Sequence, residues 1–428
     1  MNRTLESLRE ARTRDHRQPR LLGIFAAWRL EAYGYGIAIV YLTVFVHFYW
    51  AGAWIVDRAG VPVYTDFACA WAATVQALHG AAVSLYEPAE FVKIQMALLG
   101  MNDPLYPNWP YPPTFFFFFA PFASLPYFCG FIAWDMTTLA GCLVVTYFIV
   151  RRRAAMALVL ASPFTAWNLL AGQNGFLTAS LLGAALLLLE RRPVLAGVFI
   201  GCLSYKPQFA FLIPLALFAS NRWRAFASAT MTAAVLAGAS MAAFGTAVWE
   251  IFPHGLIGQA DLILLAGGQY DPAADWGRIQ TVYGLMRDLG GSAMLAAFAQ
   301  SLTTVGAGIG VWMVWRSTAR YALQAAVLSA AALIATPYAF SYDMAAIAIP
   351  MAFLAKDQIS CGLLKGEQTI LIALFGACLA ALVVFGDSPY RTTFGSVPLG
   401  PVVVITLLGL TLRRAFRDAP EPAIFAYG

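Results

Sequence analysis

The chain has 428 residues, of which 60% are hydrophobic and 11% are charged, and its mean hydropathy is +0.69. These values exclude a soluble globular protein and predict an all-α polytopic membrane protein. The net charge of +5 is concentrated in short basic runs, which orient membrane helices and do not form the patch that nucleic acid requires. We therefore expect contact with membrane lipids and no binding of nucleic acid.

Cysteine usage and motif content exclude several kinds of site. The six cysteines are scattered singly, without CxxC spacing, which argues against a disulfide framework or a metal site. The sequence also lacks a Walker motif, a GxGxxG loop, an HExxH motif and a DxD-like pair. We expect no metal and no cofactor. Without a nucleotide site, a transferase that works on the outer side would need a donor activated by something membrane-borne.

The N-terminal segment, residues 1–32, is rich in charge and has no apolar run of its own. It is therefore predicted to be a cytosolic segment and not a cleaved signal peptide. No internal repeat and no low-complexity linker divides the rest of the chain. We interpret residues 1–428 as a single integral membrane domain.

Apolar segments of about 20 residues are needed to cross a bilayer as a helix. The chain contains segments that predict about 11–12 transmembrane helices, with amphipathic helices on the outer face. The predicted segments are 33–56, 127–150, 154–170, 174–190, 194–205, 207–219, 225–244, 291–315, 321–337, 341–355, 367–386 and 396–412.

Seven basic groups separate these segments and mark the cytoplasmic ends of the helices. An even number of crossings must then lie between successive groups. Between Arg192 and Arg222 this requires two short helices, and the "YKP" sequence at 205–207 is the predicted break, because proline disfavours helix at the residue before it. Lys206 is thereby predicted to lie near the outer face or partway down a cavity from it.

The same parity places the polar segments on the outer side. These are the first outer loop (57–113), "AGQNG" (171–175), the large outer loop (245–290), "TPYAFSYDM" (336–344) and "GDSPYRTTFG" (386–395). Long outer loops rich in aromatic and polar residues are typical of loops that build a site. The apolar spacing predicts a surface helix that starts at Asp66. The segment 111–128 is cut by Pro121 and Pro126, which predicts a short membrane-dipping helix.

Asp66, Gln173 and Asn174 are the first candidate site residues. Asp66 is interpreted either as a cap of its helix or as a general base that removes a proton from an acceptor hydroxyl. Gln173 and Asn174 either form an ordinary polar turn or bind sugar hydroxyls or a phosphate.

Lys206 is the most unusual residue, because a charge in hydrocarbon costs about 2.5–3.5 kcal/mol. Its candidate role is to bind a lipid phosphate, and the alternative is a structural pair with Asp135 or Asp343. Arg278 and Arg391 are outer-side arginines that fit either an anion ligand or a salt bridge. The candidate substrate-binding residues are Tyr205, His254, Tyr342 and Asp343, with a hydrogen-bonded loop residue as the alternative for His254 and a helix cap for Asp343.

The combination of Asp66 with "SLYEP", "YPPTFFFFFAPFASLP", the block from "AGQNG" to "YKP", and "TPYAFSYDM" resembles glycosyltransferase family 87. These are polyprenyl-phosphate-mannose-dependent mannosyltransferases of the C-type glycosyltransferase membrane fold. The resemblance runs from about residue 57 to 355, and the block from "GQNG" to "YKP" is its most specific part.

This resemblance implies a polyprenyl-phosphate sugar donor, a lipid or glycan acceptor, and an active site on the outer face of a bacterial cytoplasmic membrane. It further implies that Asp66 is the base and that Lys206 faces the donor phosphate. Many relatives carry a histidine where this chain has Asp343, so the chain departs from the family's pattern at this position. Lys206, Gln173, Asn174 and Arg278 would then hold the leaving phosphate, and one carboxylate base would give inversion, which makes an α-mannoside from a β-linked donor.

The alternative from another functional class is a transporter or flippase of lipid-linked saccharides, which also uses broken helices and buried charges. No inverted repeat is visible in the sequence, and the long polar loops occur on one side only. These observations favour the enzyme.

Overall fold

The structure is a computed structural model that describes residues 27–101, 109–260, 276–385 and 398–417. Within these ranges the chain is helical, and isolated β-bridges are its only extended pairings. This confirms the predicted all-α class. Arg391 and most of the predicted N-terminal segment lie outside the described residues.

The described residues form eighteen α-helices, and short 3₁₀ helices join some of them. The α-helices are α1 (Ala27–Trp50), α2 (Asp66–Leu78), α3 (Pro88–Leu99), α4 (Phe115–Ala123), α5 (Tyr127–Val150), α6 (Arg153–Ala161), α7 (Pro163–Ala171), α8 (Gly175–Leu188), α9 (Pro193–Cys202), α10 (Ile213–Ala219), α11 (Trp223–Phe244), α12 (Ala247–Ala260), α13 (Val282–Asp288), α14 (Ala293–Arg316), α15 (Tyr321–Ile334), α16 (Ala348–Cys361), α17 (Glu367–Phe385) and α18 (Leu399–Arg417). The 3₁₀ helices are Ala82–Tyr86, Leu203–Tyr205, Pro207–Phe209, Trp276–Arg278 and Ser341–Ile347.

Six helical segments of the described chain are long and apolar enough to span a membrane. They are Trp28–Trp50, Tyr127–Val150, Trp223–Phe244, Ala293–Arg316, Ser341–Cys361 and Leu399–Arg417, and the pair α6–α7, bent by 62°, makes a seventh if it counts as one span. This number is below the predicted 11–12. Several predicted segments, such as 174–190 and 321–337, form helices of 10–17 residues, which are shorter than an ordinary span. The chain is nevertheless a multi-pass membrane protein by helix length and composition.

Two proline residues account for breaks in the helical path. Ser162 has an extended backbone (φ −63°, ψ 131°) before Pro163, at the bend between α6 and α7. Lys206 (φ −144°, ψ 68°) likewise leaves the helical region before Pro207. The ring of a proline disfavours helix at the preceding residue. The predicted turn at "YKP" is therefore confirmed.

The phenylalanine-rich segment forms the nine-residue helix α4, in agreement with the predicted short helix. Its buried Phe119 links α2 to α5, because its ring lies 5.2 Å from Phe67 and 4.7 Å from Trp134 between centroids. Phe115 stacks on Tyr111 at 4.5 Å. This aromatic packing holds the end of the first outer loop, at Tyr111, against α4.

Polar loops and basic turns lie at opposite ends of shared helices. Asn174 precedes the first residue of α8, and Arg191 follows its last turn. Asp343 begins the span Ser341–Cys361, and Lys356 lies near its end. At about 1.5 Å per residue the two ends are about 20 Å apart. We call them the polar end and the basic end.

The predicted large outer loop, 245–290, is largely helical where it is described. Helix α12 forms its first part, and Trp276–Arg278 and α13 form its last part. His254 therefore lies on a helix and not in a loop.

Candidate functional site

Lys206 lies at the centre of a buried group of polar side chains at the polar end. Its side chain is only 4% exposed, and its Nζ donates to Asp343 Oδ1 at 2.5 Å and to Asn174 Oδ1 at 2.8 Å. An ammonium group carries three N–H donors. One donor therefore has no oxygen partner among the described residues. The structural pair with Asp343, one of the two sequence alternatives, is present.

Three aromatic rings surround the remaining face of the Lys206 ammonium. The Nζ lies 5.1 Å from the ring centroid of Tyr342, 5.5 Å from Phe209 and 5.8 Å from Tyr111. At these distances the ring faces attract a cation. They stabilise the ammonium but offer no oxygen acceptor to its third N–H.

Asp343 is fully buried and serves two purposes. One carboxylate oxygen accepts from Lys206, and the other, Oδ2, accepts from the backbone N–H of Phe340 at 3.0 Å. The second contact caps the turn that begins the span, as the sequence alternative for Asp343 proposed. Asp135, the other candidate partner of Lys206, is buried on α5, and its Oδ1 has no hydrogen-bond partner among the described residues.

The "GQNG" loop is held by side chains from other segments and is more than a local turn. Asn174 Nδ2 donates to the Tyr111 hydroxyl at 2.8 Å, and that hydroxyl donates to Gln173 Oε1 at 3.3 Å. Gln173 Oε1 also accepts from the Asn174 backbone N–H at 3.1 Å. We call Tyr111, Gln173, Asn174, Lys206 and Asp343 the lysine cluster.

Two glycines allow this loop to approach its neighbours closely. Gly172 has φ +64°, in the left-handed region, and a Cβ at this position would lie 2.5 Å from Phe67 Cβ. A Cβ at Gly175 would lie 2.1 Å from the backbone oxygen of Tyr342. Both distances are shorter than atoms tolerate, so only glycine permits the contacts. The loop thereby packs against the start of α2 and against the segment that carries Asp343.

Asp66 is the first residue of α2, and Thr65 is the residue that caps this helix. The Thr65 hydroxyl accepts from the backbone N–H of Ala68 at 3.3 Å. The N-cap residue of α2 is therefore Thr65, and Asp66 lies in the first turn of the helix. Asp66 is partly buried. Its carboxylate acts electrostatically on Tyr111, whose pKa is raised well above its ordinary value by burial first, then by Asp343 and, with a smaller contribution, by Asp66.

Tyr205 contacts the backbone of the "GQNG" loop. Its side chain is fully buried, and its hydroxyl lies 2.6 Å from Thr178 Oγ1 and donates to the backbone oxygen of Asn174 at 3.3 Å. Tyr342 is partly buried, stacks on Phe340 at 5.5 Å, and presents its ring to Lys206. The two candidate tyrosines thus differ, since one lies beneath the loop and the other lies beside the ammonium.

Arg278 and His254 are placed differently from each other. Arg278 is partly buried in the turn that precedes Ile279, which bridges to Phe340. The next backbone N–H, that of Gln280, donates to Ala339 O at 2.8 Å, so this turn packs against the segment leading to Asp343. His254 is exposed on α12, and no contact among the described residues joins it to the lysine cluster.

Tyr111 and Asn168 belong to the site and were not identified from the sequence. Asn168 Nδ2 donates to Gln173 O at 3.0 Å, and its Oδ1 accepts from the backbone N–H of Gly175 at 2.9 Å. Tyr111 was included in the quoted aromatic segment only as part of a helix prediction. Its position directly before two prolines, which favour a fixed turn, is the sequence signal that could have identified it.

The arrangement combines a buried cation, amide and phenol groups that share hydrogen bonds, and a partly exposed carboxylate at the start of α2. Such a group can bind an anion and can accept a proton from a substrate.

Residues 109–337 match the family model described as Glycosyltransferase family 87, and this range is more than half of the 428 residues. No curated protein matches this chain. The family match includes Lys206, but it begins after Asp66 and ends before Asp343. On the extent of this match, the chain belongs to glycosyltransferase family 87 and is a membrane glycosyltransferase.

Proposed function

We propose that the protein moves a mannosyl group from a polyprenyl-phosphate donor to a lipid-linked or glycan acceptor at the polar end. One observation carries this proposal: a buried lysine, held between "GQNG" and the Asp343 segment, keeps an N–H without an oxygen partner among the described residues. A buried donor of this kind is suited to a phosphate oxygen.

The leaving group determines what the site must supply. As the bond between the anomeric carbon and the phosphate oxygen breaks, negative charge grows on the polyprenyl phosphate. Donors fixed in advance around that charge lower the barrier. Lys206 supplies the cation, Gln173 and Asn174 supply polar groups next to it, and Arg278 is a further candidate, because its turn packs against the segment leading to Asp343.

Asp66 is the proposed general base. The acceptor hydroxyl attacks the anomeric carbon, its proton passes to the Asp66 carboxylate, and the phosphate departs on the opposite side. One carboxylate opposite the leaving group gives inversion, by the geometry known for inverting glycosidases. Asp343 is engaged by Lys206 and by a backbone N–H, so its proposed role is to position Lys206. The Tyr342 ring beside the ammonium is a candidate surface for the sugar.

The orientation follows from the charges at the two ends. Basic turns favour the cytoplasmic side of a membrane, and they lie about 20 Å from the lysine cluster along α8. The proposal therefore directs the active site to the periplasm or cell exterior in a bacterial cytoplasmic membrane.

The test is a transfer assay with the purified chain, polyprenyl-phosphate mannose and membrane lipid extract, with the product glycolipid identified by mass spectrometry. We expect Asp66→Asn to lower the transfer rate about 100- to 10,000-fold while donor binding is retained. Asp57→Asn is the matched control in the same loop. Asp57 Oδ1 accepts from the backbone N–H groups of Ala59 and Val61, and asparagine keeps that acceptor. Equal activity of the two variants would reject Asp66 as the base.

A lipid-linked saccharide transporter remains the second candidate, because a buried Lys206–Asp343 pair beside a proline-broken helix is also typical of transporters. The Asp66→Asn variant separates the two functions. A transporter would continue to move labelled lipid across vesicles, whereas the proposed enzyme loses transfer and moves no lipid before or after the substitution.

A further inference from the structure

A cleft of about 630 Å³ opens at the basic end, between the ends of α5, α8 and α16. Its rim carries Arg151, Arg191 and Lys356, and its walls include Leu188 and Ile359. The volume lies within the range of sites for small molecules. The cleft is distinct from the lysine cluster, because α8 separates the two by about 20 Å.

The rim of the cleft has an excess of positive charge that the protein does not neutralise. The side chains of Arg151, Arg191 and Lys356 are exposed, and within the described residues none of them forms an ion pair. The acidic residue of the lining, Glu190, lies 3.9 Å from Arg222 Nη2, at the limit of an ion pair. The lining therefore has three cations against one carboxylate, and an anion at this rim meets a net positive charge.

The Arg151 guanidinium is held over the rim by its surroundings. Its carbon Cζ lies 4.6 Å from the ring centroid of Phe148, at cation–π distance. Its backbone has φ +61°, the left-handed conformation that ends α5 and turns the side chain away from the helix path.

The cleft walls below the cations are apolar. Leu188 ends α8, and Ile359, half of whose surface is exposed, projects from α16. A free phosphate ion would gain nothing from these walls. An amphiphile with an anionic head and apolar chains would use both the rim and the walls, and basic pockets between membrane helices on the cytoplasmic side bind such head groups.

We propose that this cleft binds the phosphate of an anionic membrane phospholipid, with the first part of its acyl chains against Leu188 and Ile359. Residues 418–428, which follow α18 in the sequence, carry Asp418 and Glu421 and no basic residue, so this acidic segment is the alternative occupant that the test must address. The N-terminal 20 residues carry six arginines against three acids and have the wrong charge for this rim. The proposal does not depend on the sugar or the acceptor.

Native mass spectrometry of the purified full chain in detergent, titrated with phosphatidylglycerol or phosphatidylcholine, tests the proposal. We expect phosphatidylglycerol to bind and phosphatidylcholine to bind far less. The Arg151→Gln/Arg191→Gln/Lys356→Gln variant should weaken phosphatidylglycerol binding about fivefold per charge and roughly 100-fold in total. The matched control removes three exposed arginines from the same turns, outside the cleft lining. This variant, Arg152→Gln/Arg153→Gln/Arg192→Gln, should leave the dissociation constant unchanged.

Further measurements identify the source of the anion and the occupant. Ile359→Asn should weaken phosphatidylglycerol binding while the fold is kept, because this side chain is exposed and supports only the acyl contact. Excess inorganic phosphate should not displace the lipid.

Equal weakening by the control variant would show diffuse surface attraction and overturn the proposal. Displacement by inorganic phosphate would overturn it in favour of a free-phosphate site. Stronger lipid binding after deletion of residues 418–428 would overturn it in favour of the C-terminal segment as occupant.

Discussion

Among the described residues, a cluster of buried ion pairs lies at each end of the protein, and the two clusters differ in how many of their hydrogen-bonding groups have partners. The lysine cluster lies at the polar end. The arginine cluster, Arg320, Asp357, Glu367 and Arg414, lies at the basic end, and the side chains of Arg414, Asp357 and Glu367 are at most 2% exposed. Burial of charge is therefore common to both ends and cannot by itself mark an active site.

In the arginine cluster, each charged side chain contacts a group of opposite charge. Asp357 accepts from Arg320 Nε at 2.6 Å through one oxygen and from Arg414 Nε at 3.0 Å through the other. Arg414 also contacts Glu367 Oε2 at 3.3 Å and donates to the backbone oxygen of Gly362. These contacts tie α16, α17 and α18 to the turn before α15. The cluster has the character of a structural clamp.

The lysine cluster is open by comparison. Lys206 gives two of its N–H donors to oxygens, and aromatic rings surround the third. Asp66, a partly exposed carboxylate, lies close enough to affect Tyr111. The two clusters therefore differ in two respects. The lysine cluster keeps an N–H of Lys206 for a substrate and lies near the carboxylate of Asp66, whereas the arginine cluster has neither feature among the described residues.

Among substitutions that compare the two clusters, Lys206→Met is expected to have the largest effect on transfer. Loss of a fixed donor at a developing negative charge lowers the transfer rate roughly 100- to 1000-fold. The rate is measured per folded molecule with polyprenyl-phosphate mannose. Lys93→Met is the control, because Lys93 is an exposed lysine paired with Glu90 on the same helix, and this variant should keep its activity. Activity of Lys206→Met close to that of the control would remove the distinction between the two clusters.

Arg414→Met is expected to affect stability and not transfer. It leaves Asp357 and Glu367 with fewer partners in a buried position, which costs about 3–5 kcal/mol of unfolding free energy. Thermal unfolding in detergent measures this loss. Arg413→Met, at the exposed neighbouring position, should change little. If Arg414→Met lost transfer per folded molecule while its unfolding temperature stayed the same, the clamp interpretation would be wrong.

Tyr111→Phe is expected to give a smaller effect. It removes the hydroxyl that connects Asn174 to Gln173, and a hydrogen bond of about 1 kcal/mol corresponds to about a fivefold lower rate. Burial raises the pKa of Tyr111, so its phenol stays protonated at pH values at which an ordinary tyrosine would ionise. The ratio of wild-type to variant rate should therefore stay constant from about pH 6 to about pH 9.

A ratio that changed across this range would show that Tyr111 titrates, contrary to its buried environment. Tyr33→Phe, at an exposed position on α1, is the control and should leave the rate unchanged.

The polar end was partly predictable because its segments carry local signals. Proline predicted the break at Lys206, and the apolar spacing predicted a helix from Asp66, which the structure forms. The partner of Lys206 could not be chosen from sequence, because Asp135 and Asp343 were both candidates and the choice depends on packing between distant segments. Tyr111 reaches Asn174 across 63 residues, and no local pattern indicates such a contact.

Helix bounds and lengths show the same limit. The predicted span 127–150 agrees with α5, whereas the predicted span 33–56 is displaced from α1, Ala27–Trp50. Hydropathy missed the beginning of α1 because Arg29 and Glu31 interrupt the apolar run, although charged residues continue a helix without difficulty. It extended the end because Ile55 and Val56 are apolar, although they form a turn with isolated β-bridges.

The double variant Lys206→Met/Asp343→Asn tests most directly whether the lysine cluster serves substrate and not the fold. Asparagine at this position removes the charge but keeps an oxygen that can accept from the Phe340 backbone N–H. Removing both charges leaves no unpaired buried carboxylate, so the unfolding temperature should return close to the wild-type value. Sugar transfer per folded molecule should nevertheless stay roughly 100-fold or more below wild type, because the donor for the phosphate is gone. Recovery of transfer together with stability would contradict the account, since the pair would then be a second structural clamp.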